Sequence, residues 1–212
     1  MTKTNTLKFL LAFSFVMGLG GFCFSQKPND ASKEDTVTKT SGHNITMLPE
    51  FKYQIESALL HYPELKDTRI VFKYKHIKTT MECRPKFFPL SIGRKNRTYY
   101  IYVNNDTAEL KNALLQYVPL NGQIGVIGHE FGHLVDYQNK GFFGVLRTGY
   151  GYLFVRYKSR LEKKVDRITI AHGLKKELIE FCDYILNTSN APLKYKVYKK
   201  KIYYSPQQLG LL

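Results

Sequence analysis

Residues 121–139, NGQIGVIGHEFGHLVDYQN, constrain this chain more than any other stretch. On a helix of about 100° per residue, Ile124, Ile127, Phe131, Leu134 and Val135 gather on one face, while His129 and His133 fall together on the opposite face, one turn apart. The first set must be buried, and the second then looks into a cleft with Glu130 beside it. Two imidazoles at this spacing can meet one metal ion, and the His-Glu-x-x-His order sets a carboxylate where it can take a proton from water. Gly125, Gly128 and Gly132 lie along a third side, although each costs about 1 kcal/mol against alanine in a helix interior. That pattern predicts a neighbour packed closely against them.

The chain opens with Lys3 and Lys8 and an apolar run over residues 9–24, shorter and richer in glycine than the roughly 20 residues a bilayer helix needs. Residues 1–25 read as a secretory signal peptide cut near Ser25 and Gln26, with an uncleaved anchor as the alternative. Either implies a periplasmic, secreted or membrane-associated protein. The formal charge is +15, and removing the signal takes two lysines and no acid, leaving +13. This excess favours anionic surroundings such as phospholipid head groups or acidic polymers. Specific nucleic-acid recognition is disfavoured, because the chain has no helix-turn-helix, zinc-finger spacing or aromatic RNA-binding signature. Cys83 and Cys182 remain after processing; an exported chain permits a disulfide between them, and two buried free thiols is an equal reading.

Residues 26–46 are polar and predict a flexible leader, and residues 47–212 are long enough for one folded domain. Phe51, Ile55, Ala58, Leu59 and Tyr62 recur at helical spacing behind Pro49, after which alternation predicts strands over residues 69–77, 79–84 and 97–104. Pro89 and Gly93 mark residues 85–94 as loop. Asp106 and Glu109 form a candidate capping box for a helix carrying Leu110, Ala113, Leu114 and Tyr117. Residues 141–155, GFFGVLRTGYGYLFV, set five aromatic rings beside Arg147, Arg156 and Lys158, which suits either packing beneath the motif helix or contact with an anionic membrane surface. Leu174, Leu178, Phe181, Cys182 and Ile185 predict a later helix after Gly173. In the tail, Leu193, Tyr195 and Val197 alternate with lysines and predict a charged edge strand. Together these predict an α+β fold, a small antiparallel or mixed sheet followed by the motif helix and C-terminal helices.

A catalytic zinc site takes a third protein ligand and keeps a position for water. Asp136 and Asn139 stand where the metzincin pattern needs Gly and His, so that pattern fails. Asp136 also lies about 10 Å along the helix axis from His129, too far to close a compact site. Residues 159–173, SRLEKKVDRITIAHG, offer a better candidate, because Glu162 and Asp166 share a helix face beside Leu161, Val165, Ile168 and His172. Glu162 can complete the metal set, and Asp166 can accept a hydrogen bond from the outer nitrogen of a ligating histidine. Ser159-x-x-Glu162 equally fits a capping box, in which Glu162 serves its own backbone. Tyr150, Tyr152, Tyr157 and His172 are candidate donors to an oxyanion, with His172 also placed to be a core residue, and none is assigned.

The motif His129-Glu130-Phe131-Gly132-His133, followed about thirty residues later by Glu162-x-x-x-Asp166, resembles the gluzincin metallopeptidases. Its flanks, GHEFGHLVDY and LEKKVDRITIAHGL, are most similar to the superfamily of CAAX-prenyl endopeptidases and bacterial heat-shock membrane proteases. The likeness covers residues 124–173 and implies a zincin-like minimal metallopeptidase domain. It also implies Zn²⁺ held by His129, His133 and Glu162, Glu130 as general base, Asp166 behind a histidine, and a peptide or protein substrate aligned along strand 97–104. The activity expected is that of an exported zinc-dependent endopeptidase. An aminopeptidase of the same metal chemistry, and a non-catalytic basic surface-binding protein with a structural zinc, are the rival readings.

Overall fold

A computed structural model describes residues 38–39, 44–86 and 97–212; residues 1–25, where a signal peptide is expected, most of the expected polar leader and most of the 85–94 loop lie outside the described residues. Among the described residues, β1 (Thr38–Lys39), β2 (Ile45–Met47), β3 (Arg69–Tyr74), β4 (Met81–Pro85) and β5 (Thr98–Val103) form one mixed sheet in the order β1-β2-β3-β5-β4. The pairs β2–β3 and β3–β5 are parallel, and β1–β2 and β4–β5 are antiparallel. The α+β class follows the sequence expectation, with three corrections to the strands. The leader was expected to run to residue 46, whereas Ile45 is fully buried and pairs with Ile70, so the sheet begins before the expected boundary. Strand 97–104 was expected to lie at an edge to align substrate; β5 instead lies between β3 and β4, and β4 holds the edge. The tail was expected to form a further strand and is helical, as described below.

Alternation drives each long strand. In β5, Tyr99, Ile101 and Val103 point into the core, while Thr98, Tyr100 and Tyr102 line a half-buried face. On that face Lys73 and Lys75 lie over the Tyr100 and Tyr102 rings at 5.2 and 4.6 Å. The inner face packs on α1 (Lys52–Leu59) and α3 (Leu120–Gln138). Phe72 of β3 and Tyr62, just past α1, both meet Phe131 of α3 edge-on, at ring-centroid distances of 6.2 and 5.6 Å. The Tyr62 hydroxyl donates to the Gly128 carbonyl at 2.7 Å, tying α3 to the α1 layer.

The helix expected after Asp106 is only one turn, α2 (Thr107–Leu110). Asp106 caps it by accepting from the Ala108 and Glu109 amides, but Lys111 turns to φ +50 and two 3₁₀ turns follow. Glu109 does not complete a capping box and instead lies 3.3 Å from His76. Beyond α3 come α4 (Phe142–Gly151), α5 (Val155–Ala171), α6 (Lys175–Asp183), α7 (Leu193–Ile202) and α8 (Pro206–Leu211). Gly173, at φ +82, ends α5 in the left-handed conformation that glycine adopts most easily. Residues 193–202 are α7 and not an edge strand, because the packed positions are Tyr195, Tyr198, Lys199 and Ile202, a helical set, while Leu193 and Val197 are exposed. Among the described residues, no helix is long and apolar enough to cross a membrane.

Candidate metal centre

The expected neighbour of the α3 glycines is present. A Cβ at Gly125 would meet the Glu177 carbonyl carbon and oxygen at 2.3 Å, and one at Gly132 would meet Val165 Cγ1 at 3.0 Å. Gly125 therefore admits the backbone of α6, and Gly132 admits α5. Close approach of α5 is what carries Glu162 to the histidines.

His129 Nε2 and His133 Nε2 lie 3.2 and 3.1 Å from the same atom, Glu162 Oε2. The two imidazoles stand nearly perpendicular, at 83°. One ligand atom from each of the three residues lies within 4.8 Å of the others, and all three side chains are buried. The sequence left Glu162 divided between this role and a helix cap. The cap is absent, because α5 starts at Val155, four residues earlier than expected, and Ser159 Oγ donates to the Ile202 carbonyl.

A buried carboxylate between two imidazoles needs compensating positive charge. Burial alone would raise the Glu162 pKa, but His133 and His129 hold it well below the usual carboxylate range. Burial would lower His129, yet Asp166 and Glu162 outweigh it and push the imidazole up to about 10. A cation binds imidazoles only in their neutral form, so metal and proton compete for this pair. Asp166 Oδ1 lies 2.9 Å from His129 Nδ1, within ion-pair range though off the line of the ring N–H. Tyr152 donates to Glu162 Oε1 at 3.1 Å, and burial keeps its phenol well above the usual range, so it remains a donor.

Glu130 projects beside this set. Burial raises its pKa, opposed by the neighbouring His133 and His129, and its Oε2 is buried with no hydrogen-bond partner. An orphaned carboxylate oxygen next to three converging donors is the arrangement a metal-assisted hydrolysis needs. Two nitrogens and a carboxylate oxygen form a donor set suited to zinc.

The structure thus brings together His129, Glu130, His133, Glu162 and Asp166. The unassigned tyrosines and His172 divide. Tyr152 reaches Glu162, Tyr150 is exposed, and Tyr157 packs against Gly151. His172 is half-buried, stacks on Tyr62 with centroids 4.2 Å apart and lies 2.7 Å from Glu64, so it belongs to packing. Sequence reasoning missed Lys199 and Tyr203, which reach the site because the tail is helical. Tyr203 lies 5.7 Å from the His129 ring, and Lys199 Nζ sits 4.0 Å over Tyr203. Both line a narrow cavity with Met81, His129 and Glu130. Burial would depress Lys199, but its neighbours, led by Tyr195 and Cys182, hold it above its ordinary value, so it stays cationic. A helical reading of 195, 198, 199 and 202 would have found Lys199, whereas Tyr203 follows the end of the helix in extended conformation.

Cys83 and Cys182 are free thiols, and burial pushes Cys182 up to about 12. Asp136 accepts from Lys140 and Lys164, away from the ligand set. A second group, His76, Asp106 and Glu109, is mostly exposed and is occupied by ion pairs and by the α2 cap. No family model, curated protein or solved structure matches this chain.

Proposed function

We propose that this chain is an exported zinc-dependent endopeptidase built on a zincin-like domain. One observation carries the reading: His129, His133 and Glu162 converge on one point while the buried Glu130 Oε2 beside them has no partner. The resemblance of HEFGH and Glu162-x-x-x-Asp166 to gluzincins supports it. So does the sheet, whose antiparallel edge strand β4 supplies Met81 to the site cavity.

His129, His133 and Glu162 would hold Zn²⁺, which when bound acidifies water and polarises a peptide carbonyl. Glu130 Oε2 takes the proton of the attacking water and then delivers it to the departing amine nitrogen. Asp166, 2.9 Å from His129 Nδ1, favours a proton on that nitrogen and leaves Nε2 as the ligand atom, and Tyr152 donates to Glu162. Tyr203 and Tyr204 line the cavity and help exclude water. Among the described residues β4 is an edge strand, and its outer side offers backbone groups for an extended peptide, taking the role expected of strand 97–104. An internal peptide segment is the substrate favoured over an amino terminus, since the only described acid lining the cavity besides Glu130 is Asp166, which faces His129.

Metal analysis of the purified chain from Gln26 onward, paired with cleavage of an unfolded protein, tests the proposal. Stoichiometric zinc is expected, with cleavage lowered about 10³-fold or more by Glu130→Gln while zinc is retained. Zinc without cleavage by the unsubstituted chain would overturn the peptidase reading in favour of a structural metal.

A further inference from the structure

Residues 142–160 place the active-site elbow next to an outward-facing apolar surface. Helix α4 carries aromatic side chains on its outer side. Val145, Thr148 and Gly151 are buried on its inner side, while Phe143, Arg147 and Tyr150 share the outer side. Phe143 is 81 % exposed, and Tyr150, Leu153, Phe154 and Val155 are each about half exposed. They form paired rings, Phe142 with Phe143 and Tyr150 with Phe154, at centroid distances of 5.2 and 5.3 Å. Scattered apolar side chains need no explanation, but five within thirteen residues on one helix and the turn after it make a patch.

Charge identifies what the patch fits. Between Asp136 and Glu162 the chain has no acidic residue and carries Lys140, Arg147, Arg156, Lys158 and Arg160. Arg147, Arg156 and Arg160 are exposed within the same stretch of chain as the aromatic side chains. Aromatic groups at the depth of lipid head groups, rimmed by arginines that meet lipid phosphates, are how a protein rests on a bilayer without crossing it.

We infer that the outer face of α4 and residues 153–156 form a docking surface for an anionic phospholipid bilayer. Within it, Tyr152 turns inward to Glu162 while Leu153 and Phe154 turn outward, so the docked face and the metal centre are joined through adjacent residues.

Vesicle flotation tests this with the chain from Gln26 onward, which retains every described residue and lacks the apolar N-terminal run. Vesicles of phosphatidylcholine containing about a third phosphatidylglycerol should carry the chain, and phosphatidylcholine alone should carry far less. Replacing Phe143→Ser and Phe154→Ser together should lower partitioning roughly tenfold or more without loss of helical circular dichroism. The chain has no tryptophan. Phe143→Trp therefore supplies a single reporter whose emission should shift to the blue on adding anionic vesicles, whereas Tyr53→Trp on α1 should not shift. Glu130→Gln should bind vesicles as the unsubstituted chain does, which separates this test from that of the peptidase. Equal partitioning of the double variant, or a reporter at 143 blind to vesicles, would overturn the inference. A dimer dissolved by the double substitution, with no vesicle binding, would assign the face to a second copy and overturn it too.

Discussion

The roles proposed for the polar groups of the candidate metal centre can each be exposed by a single substitution. Asp166 contacts the outer nitrogen of His129, so Asp166→Ala should lower zinc affinity about 10- to 100-fold in competition with a chelator while leaving the fold intact. Glu162→Ala should release the metal altogether, and unchanged zinc content would reject Glu162 as a ligand. Asp136 provides a contrast away from the centre. Burial would raise its pKa, but Lys140 and Lys164 hold it below the ordinary value. A carboxyl depressed on folding stabilises above its unfolded pKa of about 3.9, and that contribution disappears as the pH falls through the folded value. Asp136→Asn should therefore cost about 2 kcal/mol at pH 7, and that cost should shrink as the pH falls below about 3.9, read from urea midpoints.

Helix spacing is set by glycine, and the three substitutions to alanine should differ in sign. Gly125→Ala drives a methyl into the backbone of α6 and should destabilise by about 1–3 kcal/mol despite better helix propensity. Gly128→Ala meets only the Leu174 Cδ1 methyl, which can swing aside, so it should cost less. Gly149 on α4 faces open space, and Gly149→Ala should stabilise by up to about 1 kcal/mol. Thermal melts of the three would rank them. The same helix shows why part of the site was legible in the sequence: His129, Glu130, His133 and the apolar back of α3 all follow from one helical period. Glu162 was legible only as an alternative, since Ser159-x-x-Glu162 reads locally as a cap and only tertiary packing shows that α5 starts at Val155. The tail was misread because Leu193, Tyr195 and Val197 alternate as a strand does, while the buried Tyr195 and Ile202 and the half-buried Tyr198 and Lys199 carry the helical period. The edge position of β4 depends on pairing between strands, which no local pattern encodes.

Across the whole molecule the site draws on nearly every layer. The histidines and Glu130 come from α3, Glu162 and Asp166 from α5, a cavity wall from β4 and another from α7. A cation joining α3 to α5 should stabilise the assembly by mass action, so chelation should lower the melting temperature by several degrees, and zinc should restore it. Tyr203 comes from far downstream of the donors, about forty residues after Asp166. One wall of the road to the donors is thus the last stretch of chain to be made, and the last that can close on them. Metal-stripped protein that is unfolded and refolded with zinc should take up the ion faster than the same protein left native.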